Sequence, residues 1–480
     1  MVARRRVITD LTRSELRISA VAMVVTVAIT AGAVHKFGSV GLVVPVALAA
    51  AIALLLRPLM AVVITVLLTI IAEGNTFGLF TFTSHVYSGL FKGLNIIDFL
   101  VVLVVVAVGL DLLRTRRQLR VPRELLLPLS FFALAMIVGI VMGRQHGVGL
   151  LSLAASSDVL FYVVVLPVAV YNLDLPRPVI ANLLRATFVL AAIKAVLGLA
   201  EIASGKGTNV EGTAHLTYYE PAPNWLILIA LLTAFAALVG RMKLPRWMFF
   251  ALPVLILCMA LSYRRSFWIG LALGLLLVLL LGLRPLGRRL LIPIALLVGI
   301  SIWLLGSIHF QAQSPITRRI TSLKPNSLQT NLDDRYRLDE RANVLGEIKE
   351  HPLSGLGMKV PWTATVRPLP LEHQNGRLYV HFAALWFWLK LGILGLIAYA
   401  GVLAAGIRLS FLVWRRSSEP LLRSFGLASM SAIIALIVLD TTASFTGVDQ
   451  RFTVLFAVQL GLLALLAHSR EDDLVVAGND

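Results

Sequence analysis

A chain of 480 residues that is 58% hydrophobic, only 14% charged and of mean hydropathy +0.87 is not a soluble globular protein, in which about a quarter of residues carry charge. Its apolar residues come in runs of about 18–22, the length that crosses a bilayer core as helix, without the in–out alternation of a membrane barrel. The formal charge of +18 reflects Lys and Arg gathered in cytoplasmic loops beside anionic lipid, so no nucleic-acid partner is expected, and the single Cys258 excludes an intrachain disulfide and a cysteine metal cluster.

About fourteen spans are predicted, near 17–34, 38–56, 58–73, 96–113, 124–143, 157–172, 184–203, 223–240, 247–263, 266–283, 289–308, 381–407, 424–446 and 450–468. The expected fold class is all-α: a polytopic integral membrane protein of about 12–14 transmembrane helices with one large, partly helical extracytoplasmic loop. Arg4, Arg5 and Arg6 precede the first apolar run and no small-residue cleavage site follows it, so that run reads as an uncleaved span with a cytoplasmic N-terminus. Alternation then places the basic loops at 114–120, 241–246, 284–289 and 408–416 inside, together with the C-terminus. One basic pair breaks the bias. Arg264 and Arg265, in LSYRRSFWIG, fall on the outer face.

The same alternation makes residues 309–380 extracytoplasmic, and a loop of that length is more than a connection. Within it, DDRYRLDERANVLGEIKEHP (333–352) reads as an amphipathic helix. Leu338, Ala342, Leu345 and Ile348 repeat at helical spacing, Pro352 closes the helix, and Arg337 and Arg341 lie one turn apart beside the stripe. Three groups therefore share the outer side: Arg264/Arg265, Arg337/Arg341, and His381 where the next span begins.

Arginine presents a planar fork of donors that fits phosphate oxygens, and histidine can take a proton from a hydroxyl near neutral pH. Together they suit attack of a hydroxyl on a donor whose leaving group is a lipid phosphate, with arginines where other enzymes use a metal. Singly, each has a plainer reading. Arginines at helix ends reach for lipid headgroups, and a histidine at a span entrance is usually structural. His373 and Arg377, in LEHQNGRLYVH, fit substrate contacts and ordinary loop polarity equally well. A rival reading, a transporter or flippase of a lipid-linked or anionic solute, needs a charged path through the membrane, for which Lys194, Lys390 and Asp440 are the available pieces.

Four stretches between about 205 and 405 resemble the O-antigen ligase and polymerase family, membrane glycosyltransferases acting on undecaprenyl-pyrophosphate-linked saccharides. YYEPAPNWLILIALL resembles the family's Pro-Asn segment, with Asn224 at the Asn, and LSYRRSFWIG its Ser-Arg-small-x-Trp motif, with Arg265 at the Arg. RLDERANVLGEIKEHPLSGLG resembles an Arg–helix–His-Pro-Leu-x-Gly-x-Gly pattern, with Arg337 at the Arg; HFAALWFWLKLGILG resembles the family's histidine-led helix, with His381, Gly392 and Gly395 in place. The resemblance implies that Arg265 and Arg337 hold the donor pyrophosphate and His381 activates the acceptor hydroxyl, with no cofactor and no metal. Arg264, Arg341, His373, Arg377 and Asn224 would then support the site or bind substrate.

The implied partners are a polyprenyl-pyrophosphate-linked oligosaccharide donor, a saccharide or glycolipid acceptor, and the bilayer of a bacterial cytoplasmic membrane. The implied organisation is N-terminal transmembrane helices over 1–204, a ligase-like core over 205–407 that includes the loop 309–380, and C-terminal helices with a cytoplasmic tail over 408–480. This sequence departs from the family pattern at Arg264, Arg341, Phe382 and Lys390. His373-Gln374-Asn375 is an alternative site for the motif histidine, although the glycine spacing favours His381. Polymerase and ligase activities are not separated by these residues.

Overall fold

The computed structural model describes residues 43–72, 93–205, 208–210, 213–216, 221–262, 264–282, 332–369 and 376–469. The predicted spans at 17–34 and 289–308, the loop residues 309–331, His373 and both termini lie outside the described residues.

The helices are α1 (Val43–Leu55), α2 (Pro58–Ile71), α3 (Ile96–Thr115), α4 (Arg123–Gln145), α5 (Leu150–Tyr171) and α6 (Arg177–Ala203). A short antiparallel hairpin follows, β1 (Thr208–Val210) with β2 (Thr213–Leu216). Then come α7 (Pro221–Val239), α8 (Arg246–Phe250), α9 (Leu252–Leu261), α10 (Arg265–Gly282), α11 (Leu332–Glu350), α12 (Ala383–Arg416), α13 (Pro420–Leu439) and α14 (Gln450–His468). Nine helices among the described residues are long and apolar enough to cross a bilayer, and the protein is a multi-pass all-α membrane protein.

The chain forms two compact units, residues 1–63 with 102–117 and residues 64–101 with 118–480. In the smaller one Asp111, near the end of α3, pairs with Arg117 at 2.6 Å. The larger one holds every described candidate residue. Its helix ends sort into two groups. At one end α10 meets the loop after α13 (Phe267 to Phe445, 5.4 Å between ring centres), and α7 meets α14 (Trp225 to Phe452, 5.1 Å). At the other end Tyr171 meets His468 (5.8 Å), Arg177 donates to Ser469, and Arg185 faces Glu419 at 3.6 Å.

Two features shape the first end. The helix α12 breaks at Gly392, whose φ of 69° lies in the left-handed region open chiefly to glycine. The break takes the Leu389 carbonyl out of the helical ladder, and the Leu356 amide docks on it at 2.7 Å. A Cβ at Gly392 would collide with the Leu353 carbonyl, and one at Gly355 (φ 67°) with the backbone of Leu389 and Gly392. The His-Pro-Leu-x-Gly-x-Gly stretch is thus a backbone clamp. Met358 extends it by donating to the Gly139 carbonyl of α4 at 2.9 Å.

The second feature is Asp440. The predicted span 424–446 stops at Leu439, because the Asp440 carboxyl group gathers the following turn onto itself. It accepts from the Phe445 amide (3.0 Å), the Thr446 hydroxyl (3.0 Å) and the Tyr399 phenol (2.7 Å), while the Asp440 carbonyl accepts from Ala383, the first residue of α12 (2.9 Å). Lys390 likewise donates to the Val360 carbonyl. Two of the charges a transport path would need are thereby spent on holding backbone.

Gly392→Ala combines left-handed strain with that carbonyl overlap and is expected to destabilise by about 2 kcal/mol or more. An unfolding temperature in detergent equal to wild type would refute the clamp. Burial raises the Asp440 carboxyl from 3.8 to about 6, so the folded protein binds that proton more readily than the unfolded chain. The resulting stability is complete below about pH 4 and is lost as pH rises through about 6. The unfolding temperature of wild type minus that of Asp440→Asn should therefore fall between pH 4.5 and 7.5. A difference that does not change with pH would contradict this.

Candidate active site

The turn before α10 is fixed by its own side chains. The Ser262 hydroxyl donates to the Met259 carbonyl at 2.7 Å, and the Trp268 indole donates to the same carbonyl at 3.0 Å. The motif Trp268 and the nearby Ser262 thus fix the turn from which two arginines emerge at the helix start. The Arg264 guanidinium lies over the Phe445 ring, 5.2 Å from its centre. Burial raises the Asp449 carboxyl above the usual carboxylate range, and the Arg264 guanidinium offsets part of that rise. Arg265 is the first residue of α10 and is half-buried.

The helix α11 turns inward a face rotated from the predicted stripe, of which Ile348 is buried and Leu345 packs against the core. Leu338 is 44% exposed, whereas Tyr336, Asp339, Glu340, Asn343, Val344, Glu347 and Ile348 are buried. The polar members of this face each hold a piece of the loop between α11 and α12. Glu347 accepts from the Thr363 amide (2.8 Å), and Asn343 accepts from the amides of Val366 (2.7 Å) and Arg367 (2.9 Å). Glu340 accepts from both the backbone amide (2.9 Å) and the ring Nδ1 (3.0 Å) of His381. Buried polar groups must be paired, so this ladder of partners outweighs the apolar stripe in setting which side of α11 turns inward.

His381 is therefore held in a defined orientation just before α12. With Nδ1 donating to the Glu340 carboxylate, the neutral ring carries its lone pair on Nε2. Two tyrosines flank the ring, Tyr379 at 4.7 Å and Tyr336 at 5.9 Å between ring centres, both edge to face. Tyr379 is the point where the separate stretches meet. Burial pushes its phenol above the ordinary 10.0, and the guanidiniums of Arg264 and Arg337 pull it back, aided by the Ser444 amide donating to its oxygen at 3.2 Å. Two arginines from different segments thus bear on a ring that packs against His381.

The remaining candidates divide. Arg341, one turn from Arg337, is exposed and rests over the Phe382 ring at 5.5 Å. Two of the four departures from the family pattern, Arg341 and Phe382, are thus partners of each other. Arg377 is half-buried in a short 3-10 turn (Gly376–Leu378), and its carbonyl accepts from the Trp362 amide at 3.0 Å. Asn224 is 1% exposed in the first turn of α7, enclosed beside Trp225, whose indole donates to Gln459 at 3.0 Å. Sequence reasoning missed Glu340 and Tyr379. Both were within reach of simple spacing: Glu340 lies three residues beyond Arg337 on one helix, and Tyr379 lies two before His381 in extended chain.

A search among curated proteins finds no match to this chain. Residues 248–400, under a third of the chain, match the O-antigen ligase family, and this segment spans α8 to the first half of α12 and contains Arg264, Arg265, Arg337, Glu340, Tyr379 and His381. Residues 248–400 are thus similar to the O-antigen ligase family, and the candidate site lies within that matched segment.

Proposed function

We propose that the protein transfers or polymerises glycan units from a polyprenyl pyrophosphate donor to a sugar hydroxyl, in the assembly of a cell-surface polysaccharide. The observation that carries this reading is the Glu340-held His381, packed edge to face on Tyr379, whose phenol lies in the field of Arg264 and Arg337. In this reading the ligase-like core is 205–407, between N-terminal helices over 1–204 and C-terminal helices with a tail over 408–480.

In this reading His381 Nε2 accepts the proton of the acceptor hydroxyl as its oxygen bonds to the donor's anomeric carbon. The Glu340 carboxylate stabilises the imidazolium that forms, as the orienting acid does in a Ser-His-Asp triad. The bond from the anomeric carbon to the phosphate oxygen breaks on the opposite face, inverting that centre. Charge develops on the departing diphosphate, where Arg264, Arg265 and Arg337 supply forked donors in place of a divalent ion.

Charge also supports an orientation. The end of the bundle away from His381 carries Arg120, Arg123, Arg177, Arg185, Arg416 and Arg423 at or beside helix ends, as cytoplasmic loops do. The site then opens on the outer face of the cytoplasmic membrane. The transport alternative gains no support, since Asp440 and Lys390 are engaged with backbone at the site end.

Purified protein in nanodiscs, given a lipid-linked oligosaccharide, should form product: a ladder of repeats for a polymerase, a single addition to a supplied acceptor for a ligase. His381→Ala should abolish transfer while leaving the unfolding temperature near wild type, and normal turnover in that variant would remove the histidine from the chemistry. Glu340→Gln keeps an oxygen acceptor for the His381 amide and Nδ1 but removes the negative charge that stabilises the imidazolium, so kcat should fall by about 10²-fold or more with KM little changed. Arg337→Lys keeps the charge but not the fork and should lower kcat about 10²-fold or more. A fall below threefold would argue against diphosphate stabilisation by Arg337.

A further inference from the structure

Beside the arginine–histidine cluster lies a cavity of about 530 Å³, within the range of about 300–1,000 Å³ typical of small-molecule sites. It shares two walls with that cluster. Tyr379 lines it and packs against His381, and Asp449 lines it and lies in the field of Arg264.

The other lining groups are set in place by a relay. Asn95 donates its amide to the Gln450 oxygen at 2.7 Å, and Gln450 in turn donates to the Asp158 carboxylate, which is 7% exposed. The relay fixes which way the Gln450 amide points and holds a carboxylate at the wall. Arg451 adds a guanidinium, 4.0 Å from Asp449, and Trp386 an aromatic ring.

This lining discriminates among the parts of a lipid-linked saccharide. A polyprenyl tail would leave these polar walls unpaired. Of the three cations in the lining, Lys390 is engaged with the Val360 carbonyl and Arg451 lies 4.0 Å from Asp449, so Lys359 facing Asp158 and Asp449 leaves no clear excess of positive charge for a diphosphate. Carboxylates, an amide and a guanidinium around aromatic rings offer both acceptors and donors of fixed direction, which suits the alternating hydroxyls and C–H faces of a sugar. Asp158, Asp449, Gln450 and Arg451 lie outside the matched segment 248–400. Residues from outside the matched segment therefore complete a cavity that Tyr379, Trp386 and Lys390 line from within it.

We propose that this cavity is a saccharide-binding subsite that selects the sugar presented to His381, an inference that rests on the transferase reading above. Its test is steady-state transfer in nanodiscs with lipid-linked oligosaccharide from the membranes of the source cell, donor and acceptor varied separately. Ser156→Phe fills the cavity, since Ser156 lines it, and Gln450→Ala removes the relay. Each should raise KM for one saccharide substrate about tenfold, the loss of roughly one net hydrogen bond, with kcat within about threefold.

A rise in donor KM places the donor's sugar in the cavity, and a rise in acceptor KM places the acceptor's; either supports the proposal. If Ser156→Phe does not fold, Gln450→Ala and the milder Arg451→Gln carry the same test. Both KM values within twofold of wild type in the folded variants would overturn the subsite while leaving the transferase reading intact. No transfer by wild type would overturn that reading and this inference with it.

Discussion

The interruption of α12 at Gly392 is the constraint on which the site end of the bundle depends. A 34-residue helix with an unbroken ladder would keep every carbonyl to itself; this one gives up the Leu389 carbonyl to the Leu356 amide. The docking is possible because Gly355 and Gly392 lack the side chains that would hold the two backbones apart. Once the 351–358 stretch is pinned to α12 and to α4, the helix α11 preceding it has a fixed end from which to lie across the entrance of α12. Only then can its buried polar face reach Thr363, Arg367 and His381.

That face shows how polar pairing, more than apolar burial, positions a functional loop. Glu340, Asn343 and Glu347 recur at helical spacing, and these buried side chains find their partners in backbone amides along residues 363–381. An unmade buried hydrogen bond costs about 1–3 kcal/mol, so three such anchors define the loop strongly. The same arrangement does chemical work at Glu340, because the oxygen that anchors the His381 amide also sets the tautomer of its ring. Fold and reactivity meet in one carboxylate.

Much of this was legible in the sequence. Runs of apolar residues at bilayer length gave most of the spans, and the break in the inside-positive pattern drew attention to Arg264 and Arg265 before any fold was known. What escaped was non-local. The span expected to reach residue 446 ends at Leu439 because Asp440 accepts hydrogen bonds from residues five and six positions later and from Tyr399 on another helix. The helix at 333–352 was legible as a helix, and Ile348 of the apolar stripe is buried, but the stripe did not show that Leu338 turns out and Glu340, Asn343 and Glu347 turn in, since their partners come from outside the segment. The apparent oddities Arg341 and Phe382 explain each other only when they are brought within 5.5 Å. Relays such as Asn95–Gln450–Asp158 join residues more than 290 positions apart, which no spacing rule reaches.

The central claim is that cations from separate segments and one oriented imidazole form a single centre for a lipid diphosphate. A cryo-EM structure of the protein in nanodiscs with a polyprenyl diphosphate bound tests it most directly. The account places the diphosphate within hydrogen-bonding distance of Arg337 and the Arg264/Arg265 pair, beside Tyr379 and His381. Diphosphate density at the opposite end of the bundle, or out of reach of Arg337 and His381, would contradict it.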